Sequence, residues 1–507
     1  MRRVLAAVLS VVALLGFVVD ASAQAPTSKV TISGLMDYVS TYSKNHSAVD
    51  LNFARDSDTE WYSRTRLRPD ITAEVGTTKF VLGIEIDYTW GSATGANTAG
   101  SGLRGTTAGL PYNTDAPGIL ELKWGYTEFD IPGLPFGARA RVGAQPFGSV
   151  VHYKPGILAT GDFTGANLTL TFAPQLKLLF TYAAAEEEGT GRGDGFIRGD
   201  DHALILGAEI TPFKGLDIKP VYAYLSIDGA TGASRQARGG LTAAQCASPP
   251  VGPCFNSGSL EERHTIGADA RLQLGPVSLF PTFMFQWGQR QFIQANQARV
   301  TQDRKAWLGD VRAAFSAGPL LLEAGASYTS GNRAQEDIRN GSTDVNFYES
   351  ITMDGGYWGT WCELWCLDID YNTGLFNSQV SNMGYDKYGR MVLAGKATYA
   401  VTPSFNLRAM VNAQWAAEKV DTSSTRAAAT NLTPGDFRGD SRYLGTEVDL
   451  GFRWTLAPGL DFDLIGAYLF TGEALEAAAA TSTNGFTRPA SNIEDIKSVT
   501  ARVRYSF

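Results

Sequence analysis

Arg64, Arg66 and Arg68 stand two residues apart. So do Glu85 and Asp87, Arg139 and Arg141, Asp310 and Arg312, Glu447 and Asp449, and Arg502 and Arg504. In an extended chain that spacing puts each set on one face. Lys123, Arg271 and Arg408 hold equivalent places in other alternating stretches. Charges in rows, with no nucleophile beside a base, do not break bonds. They act electrostatically on something that passes. The expectation is that these residues line a watery pore, with cations and anions in near balance. Two arrangements fit. The charges pair across neighbouring strands, or Arg64, Arg66, Arg68, Arg502 and Arg504 form a local stripe that attracts anions at a constriction.

A second group lies in the long segment 331–389. Trp358, Trp361 and Trp365 alternate there with Cys362 and Cys366. A loop of this length in an ordered protein has a task. It either folds back into the pore, offering the three indoles as contacts for solutes, or forms a stapled external cap. The four cysteines form two close pairs, Cys246 with Cys254 and Cys362 with Cys366, and favour two disulfides in an exported chain. Two thiols with no nearby His make half a metal site at best, so no metal is expected. The four histidines, His46, His152, His202 and His264, carry no flanking signature of a hydrolase. No glycine-rich phosphate loop stands in a strand–helix context. No catalytic residue and no cofactor is therefore assigned.

Strands must position these groups. Phe80, Leu82, Ile84, Ile86, Tyr88 and Trp90 alternate with Glu85, Asp87 and Thr89. The same period of two recurs in eighteen stretches, from Lys29–Ser43 to Ile496–Phe507. Tight turns with Gly or Pro follow the even-numbered strands: 76–78, 132–137, 173–175, 211–215, 275–276, 317–319, 402–404 and 457–459. Long polar segments, such as 91–118, 227–263 and 331–389, follow odd-numbered ones. An even strand count with short turns at one end and long loops at the other predicts an all-β transmembrane barrel, antiparallel and up-and-down, of about eighteen strands. Trp90, Trp124, Trp287, Trp307, Trp415 and Trp454 lie near strand ends, where aromatic belts belong. Pro69, Pro220 and Pro281 fall inside proposed strands and predict bulges or rim positions.

Bulk properties agree. Residues 1–23 read as a signal peptide: Arg2 and Arg3, an apolar run, then Ala21-Ser22-Ala23. Residues 24–507 follow as one barrel. No later run approaches the ~18 apolar residues of a membrane helix. Mean hydropathy of −0.11 suits a barrel whose lipid and water faces cancel. A formal net charge of −8 argues against a nucleic-acid partner.

The last strand, ending on Phe507, resembles the C-terminal signal of bacterial outer-membrane barrels. The resemblance implies pairing with the first strand and handling by the barrel-assembly machinery. Residues 139–148, Arg-Ala-Arg-Val-Gly-Ala-Gln-Pro-Phe-Gly, resemble a segment of porin-like and alginate-export-type barrels. Residues 443–450 with 466–472 resemble the closing hairpin of the alginate-export type. That family's fold is an eighteen-stranded barrel in the outer membrane. Only these short blocks carry the resemblance. It extends to fold and location and not to substrate, because a polyanion needs a strongly cationic lumen.

Three functions follow as expectations. The first is a porin for passive diffusion of small hydrophilic solutes or ions, surrounded by outer-membrane lipid. The second is a dedicated polysaccharide or oligosaccharide transporter. The third is a non-conducting scaffold around a partner protein. A homo-oligomer is expected only by analogy with porins.

Overall fold

The structure, a computed structural model, describes residues 28–45, 59–90, 120–147, 154, 156–187, 200–229, 256–293, 299–333, 344–351, 358–370, 388–420, 441–475, 480–481, 487–488 and 495–507. The expected signal peptide lies outside the described residues. So do Cys246 and Cys254. Of the two expected disulfides, the one between Cys246 and Cys254 is therefore not among the described bonds, and the one between Cys362 and Cys366 is.

Eighteen long strands form one antiparallel sheet. They are β1 Lys29–Lys44, β2 Thr59–Val75, β3 Thr78–Thr89, β4 Leu120–Asp130, β5 Gly137–Pro146 and β6 Asp162–Ala173. Then come β7 Leu176–Glu187, β8 Asp200–Phe213, β9 Leu216–Gly229, β10 Asn256–Leu274, β11 Val277–Ile293 and β12 Arg299–Ala317. The last six are β13 Leu320–Thr329, β14 Arg390–Thr402, β15 Phe405–Val420, β16 Ser441–Ala457, β17 Leu460–Thr471 and β18 Ile496–Ser506. Each pairs with the next, and β18 pairs with β1 from Leu35↔Ser506 to Lys44↔Lys497. The chain end completes the ring: Gly34 N donates to Phe507 O at 2.8 Å, and Phe507 N donates to Gly34 O at 3.0 Å. Closure leaves no sheet edge, which is the condition for a sheet to stand in lipid.

The outward faces are apolar. Ile266, Leu393, Leu407 and Leu450 are exposed there. Two rings of aromatics bound them. Toward the long loops run Tyr182, His202, Tyr224, His264 and Trp287, each ring in contact with the next, followed by Trp307 with Tyr328 and Trp415 with Tyr443. Toward the short turns lie Phe136 with Phe172, Phe405 with Phe452, and Tyr505 with Phe507. Such girdles mark the two water interfaces of a membrane barrel.

Two expectations need correction. Trp124 does not join the outer belt. Its Nε1 donates to Asp70 Oδ1 at 2.9 Å, and its ring lies over Gly83, where any Cβ would overlap it. The cause is a bulge: the β3–β4 register shifts between Gly83 and Ile84, so Lys123 and Trp124, adjacent in sequence, both face inward. Alternation read from sequence loses one count there. The prolines sit neither at the rim nor on bulged strands of their own. At each, the ladder opens for two pairs on one side and resumes in the same register. The gaps run from Leu67↔Ile86 to Asp70↔Gly83, from Gly207↔Val221 to Ile210↔Ile218, and from Asp269↔Thr282 to Leu272↔Leu279. Proline has no N–H to donate, and the opposite neighbour still pairs with it.

The inner face is polar over most of the ring but not over β7–β9. There Leu179, Ala183, Ala203, Ile205, Val221, Ala223 and Leu225 all point inward and are buried. These strands are apolar on both sides because chain segments fold against them from within.

Candidate functional site

Two connections turn back into the barrel. One follows β5 and is described at Lys154 and 156–161. The other links β13 to β14 and is described at 331–333, 344–351, 358–370 and 388–389. Of the alternatives for segment 331–389, the described residues take the inward fold. Ile157 and Leu158 are fully buried against the apolar wall of β7–β9. The two connections also bind each other. Tyr348 Oη donates to Ile157 O at 2.9 Å, and Ile351 N donates to Leu158 O at 2.7 Å.

Each inserted piece is fastened to the wall by charge. Lys154 Nζ lies 2.6 Å from Asp310 Oδ1 and donates to Thr282 Oγ1 at 2.6 Å and Phe280 O at 2.5 Å. Burial lowers the Lys154 pKa, and Asp310 and Asp269 oppose that only in part. Glu349 meets three arginines, one from each of β10, β11 and β12. Its Oε2 is 2.7 Å from Arg304 Nη2, 3.5 Å from Arg290 Nη2 and 3.9 Å from Arg263 Nη1. Glu261 on β10 completes the cluster at 3.1 Å from both Arg304 and Arg263. Burial pushes the Glu349 carboxyl up, but Arg304, Arg263 and Arg290 outweigh it and hold the group below the usual range.

The stapled piece runs along the inner wall from β13 round to β2, meeting Ser327, Lys396, Asn412, Glu447, Thr41 and Arg64 in turn. Cys362 and Cys366 are disulfide-bonded, which closes a tight turn. Three successive amides of that turn converge on one carboxylate of β16. Glu363 N and Leu364 N donate to Glu447 Oε1 at 2.9 and 2.6 Å, and Trp365 N donates to Glu447 Oε2 at 2.8 Å. Consecutive N–H groups in a turn make an anion-binding concavity. Here the anion is the barrel's own side chain. Glu363 N also lies 3.3 Å from Asp449 Oδ2. The piece ends at Asp370, on the β1–β2 side. Asp370 accepts from Thr41 Oγ1 at 2.5 Å, Arg64 Nε at 3.2 Å and the Tyr62 hydroxyl. The Glu363 carboxylate accepts the amides of Ile369 and Asp370 at 2.8 and 3.2 Å. Burial first, then Asp368 and Asp370, push its pKa well up.

The indoles serve as anchors. Trp358, Trp361 and Trp365 are 2%, 5% and 1% exposed, so they offer no face to a solute as placed. Trp358 lies over Gly325 of β13, where a Cβ would come within 2.6 Å of its ring. The Arg312 guanidinium covers it, 4.3 Å from the ring centroid. Trp358 Nε1 donates to Ser327 Oγ at 3.2 Å.

The sequence-assigned cations all have acidic partners. Arg64 meets Asp370. Arg66 meets Asp87 at 2.5 Å and Glu85 at 3.2 Å, and Arg68 and Lys123 share Glu85 at 3.1 and 2.8 Å. Arg139 and Arg141 share Glu128, each at 2.6 Å. Arg271 meets Asp217, Arg312 meets Asp310 at 3.5 Å, and Arg408 meets Asp368 at 2.9 Å. Arg502 meets Asp463 at 2.7 Å, and Arg504 meets Asp37 at 2.5 Å. The row of arginines across the closure exists: Val39 pairs with both Arg64 and Arg502, and Asp37 with both Arg66 and Arg504. Its charge is spent on neighbours. Pairing across strands, the first of the two arrangements, describes the row except at Arg64, whose partner Asp370 belongs to the inserted segment.

Sequence reading missed Arg263, Arg290, Arg304, Glu261, Glu349 and Lys154. The strands carrying the arginines run further than apolar alternation indicates: β10 begins at Asn256, β11 ends at Ile293 and β12 begins at Arg299. Beyond the girdle the outer face turns polar, at Glu262, Gln289, Asp303 and Lys305, so the apolar half of the signal stops. The inner half continues as Glu261-x-Arg263-x-Thr265 and Gln302-x-Arg304 and was there to be read.

No protein-family model matches the chain, the alginate-export type included, and no curated protein sequence matches it. Solved structures do. OccAB2 of Acinetobacter baumannii has 11% identity, covering 94% of this chain and 98% of that one, at a TM-score of 0.49. A BenF-like porin of Pseudomonas fluorescens Pf-5 has 11% identity over 95% and 98%, also at 0.49. OccK8 (OprE) of Pseudomonas aeruginosa has 12% identity over 94% and 98%, at 0.48. These are likenesses of shape, at identities too low to bring a function with them.

Proposed function

We propose that this chain is a bacterial outer-membrane channel for passive diffusion of small hydrophilic solutes. The observation that carries the reading is a ring of strands, apolar and girdled outside, holding paired charges inside, into which two connections fold. A closed eighteen-strand ring is wide enough for an aqueous path. The inserted pieces, tied by Glu349, Glu447 and Asp370, narrow it. Residues 1–23 would direct export and leave, and Phe507 would present the last strand to the assembly machinery. A second disulfide, Cys246 to Cys254, would staple the connection between β9 and β10.

The residues proposed to line the path are Arg66, Arg68, Glu85, Asp87, Lys123, Arg139, Arg141, Arg271, Arg453 and Arg504. All but Glu85 are less buried than the anchors; Arg139, Arg141, Arg271 and Arg453, which pairs with Asp463 at 2.8 Å, lie toward the short-turn end, and Arg66, Glu85, Asp87 and Lys123 lie nearer mid-barrel. Because these cations are matched by acids, weak ion selectivity is expected, which disfavours a dedicated carrier of polyanions. Liposome swelling with neutral solutes of graded size tests the reading. Swelling should be fast for the smallest sugars and fall steeply with size. No swelling with any solute would contradict it.

A further inference from the structure

A half-open cavity of about 350 Å³ lies at the wall of β4–β9 beside the inserted Ile351, and outward-facing Leu122, Ala144, Thr164 and Ala184 line part of it as well. Its apolar side is made by Phe147, Phe163, Ala183, Ala203, Leu225 and Ile351. The rings of Phe147 and Phe163 pack at 4.2 Å between centroids. Its other side carries a charge pair, Lys123 Nζ and Asp162 Oδ2, 3.5 Å apart.

The space is built into the sequence. Ala183 and Ala203 are direct partners across β7 and β8, and both point into it. Larger inward residues stand on the same strands at Leu179 and Ile205, where the inserted Ile157 and Leu158 belong to the same apolar cluster. The paired alanines leave at this height of the wall the room that larger side chains fill beside them. Ligand sites combine an apolar lining with a few convergent polar groups, and this cavity has both.

We infer that this cavity is a subsite for the apolar part of an amphipathic solute whose charged head meets the Lys123–Asp162 pair. The inference rests on the channel reading and narrows its substrate class: among solutes of equal charge, the channel holds those with a ring-sized apolar group. Lys123 is shared with Glu85 at 2.8 Å, so a head group can exchange for one partner without stranding the ammonium.

The test uses the full chain in planar bilayers. Glycine, valine and phenylalanine, all zwitterions, serve as probes for block of the potassium chloride current. Burying a ring-sized apolar group predicts that phenylalanine blocks at a concentration at least about tenfold below glycine, with valine between. Ala183→Leu and Ala203→Leu fill the cavity and should abolish the difference while leaving the salt current within about twofold. If a leucine variant carries no current, Ala203→Ser, which adds a polar atom and little bulk, should narrow the difference severalfold. Equal block by all three probes in the parent channel would overturn the subsite, as would a difference that survives these substitutions. A conducting parent without discrimination removes only the subsite. A parent that never conducts removes the channel reading and the subsite with it.

Discussion

Glu447 Oε2 accepts the amide of Trp365 at 2.8 Å, and its Oε1 takes the two amides before it. One wall carboxylate therefore holds the turn that Cys362 and Cys366 close. Hydrogen bonds to an ionised acceptor contribute roughly 1.5–3 kcal/mol each when well made, though bonds sharing one acceptor do not add fully.

Glu447→Gln should loosen this turn. It keeps the shape but removes the charge and turns one acceptor into a donor facing backbone N–H groups. The expected result is single-channel conductance raised about twofold or more, with noisier open current. Conductance and noise equal to the parent would show that the turn is held by its other contacts.

Glu349→Gln acts on the other inserted contact, at β10–β12. It leaves Arg263, Arg290 and Arg304 with Glu261 as their acidic partner in the cluster. Breaking a buried ion pair by removing one partner costs about 3–5 kcal/mol. Segment 344–351 should detach, exposing it to protease added from the loop side. The same link gives a pH dependence. Because the folded-state pKa of Glu349 is depressed, its contribution is present above the ordinary carboxylate range and is lost as pH falls through the folded value. Protease resistance of this segment should therefore persist at pH 5 and fail only in stronger acid. Loss already near pH 6 would contradict the link.

Arg66→Gln with Arg68→Gln removes two cations from a cluster in which Arg66, Arg68 and Lys123 face Glu85, Asp87 and Asp162. The acids remain. Reversal potentials under a salt gradient should move from near zero toward cation preference. An unchanged potential would place the conducting path away from β2 and β3.

Gly325→Val puts a side chain where the Trp358 ring lies, 2.6 Å from its edge. The indole must leave, and Arg312 loses its ring contact. Fluorescence should report a more solvent-exposed tryptophan with the barrel still heat-resistant. An unchanged spectrum would mean that Trp358 packs elsewhere.

The ring itself was legible in the sequence, because lipid outside and water inside impose a period of two that Phe80 to Trp90 display without interruption. Closure was legible for the same reason, in the alternation that runs to Phe507. The staple at Cys362 and Cys366 was legible from close pairs and an even cysteine count in an exported chain; its counterpart at Cys246 and Cys254 falls outside the described residues. Three things were hidden. The bulge at Lys123 changed parity by one residue, so Trp124 appeared to face lipid. The apolar inner wall at β7–β9 follows from what packs on it, and Ile157 and Leu158 sit in a connection without periodicity. The arginine cluster lay above the girdle, where outer-face apolarity no longer marks a strand. Site residues held by inserted segments are set by tertiary contact across more than a hundred residues, as with Lys154 and Thr282.

Single-channel recording of the parent beside the Glu349→Gln, Glu447→Gln double variant separates a narrowed barrel from an open one. A barrel narrowed by tethered segments predicts small, discrete, weakly selective steps in the parent and steps several times larger in the double variant. Steps of the same size in both, or no steps in either, would contradict it.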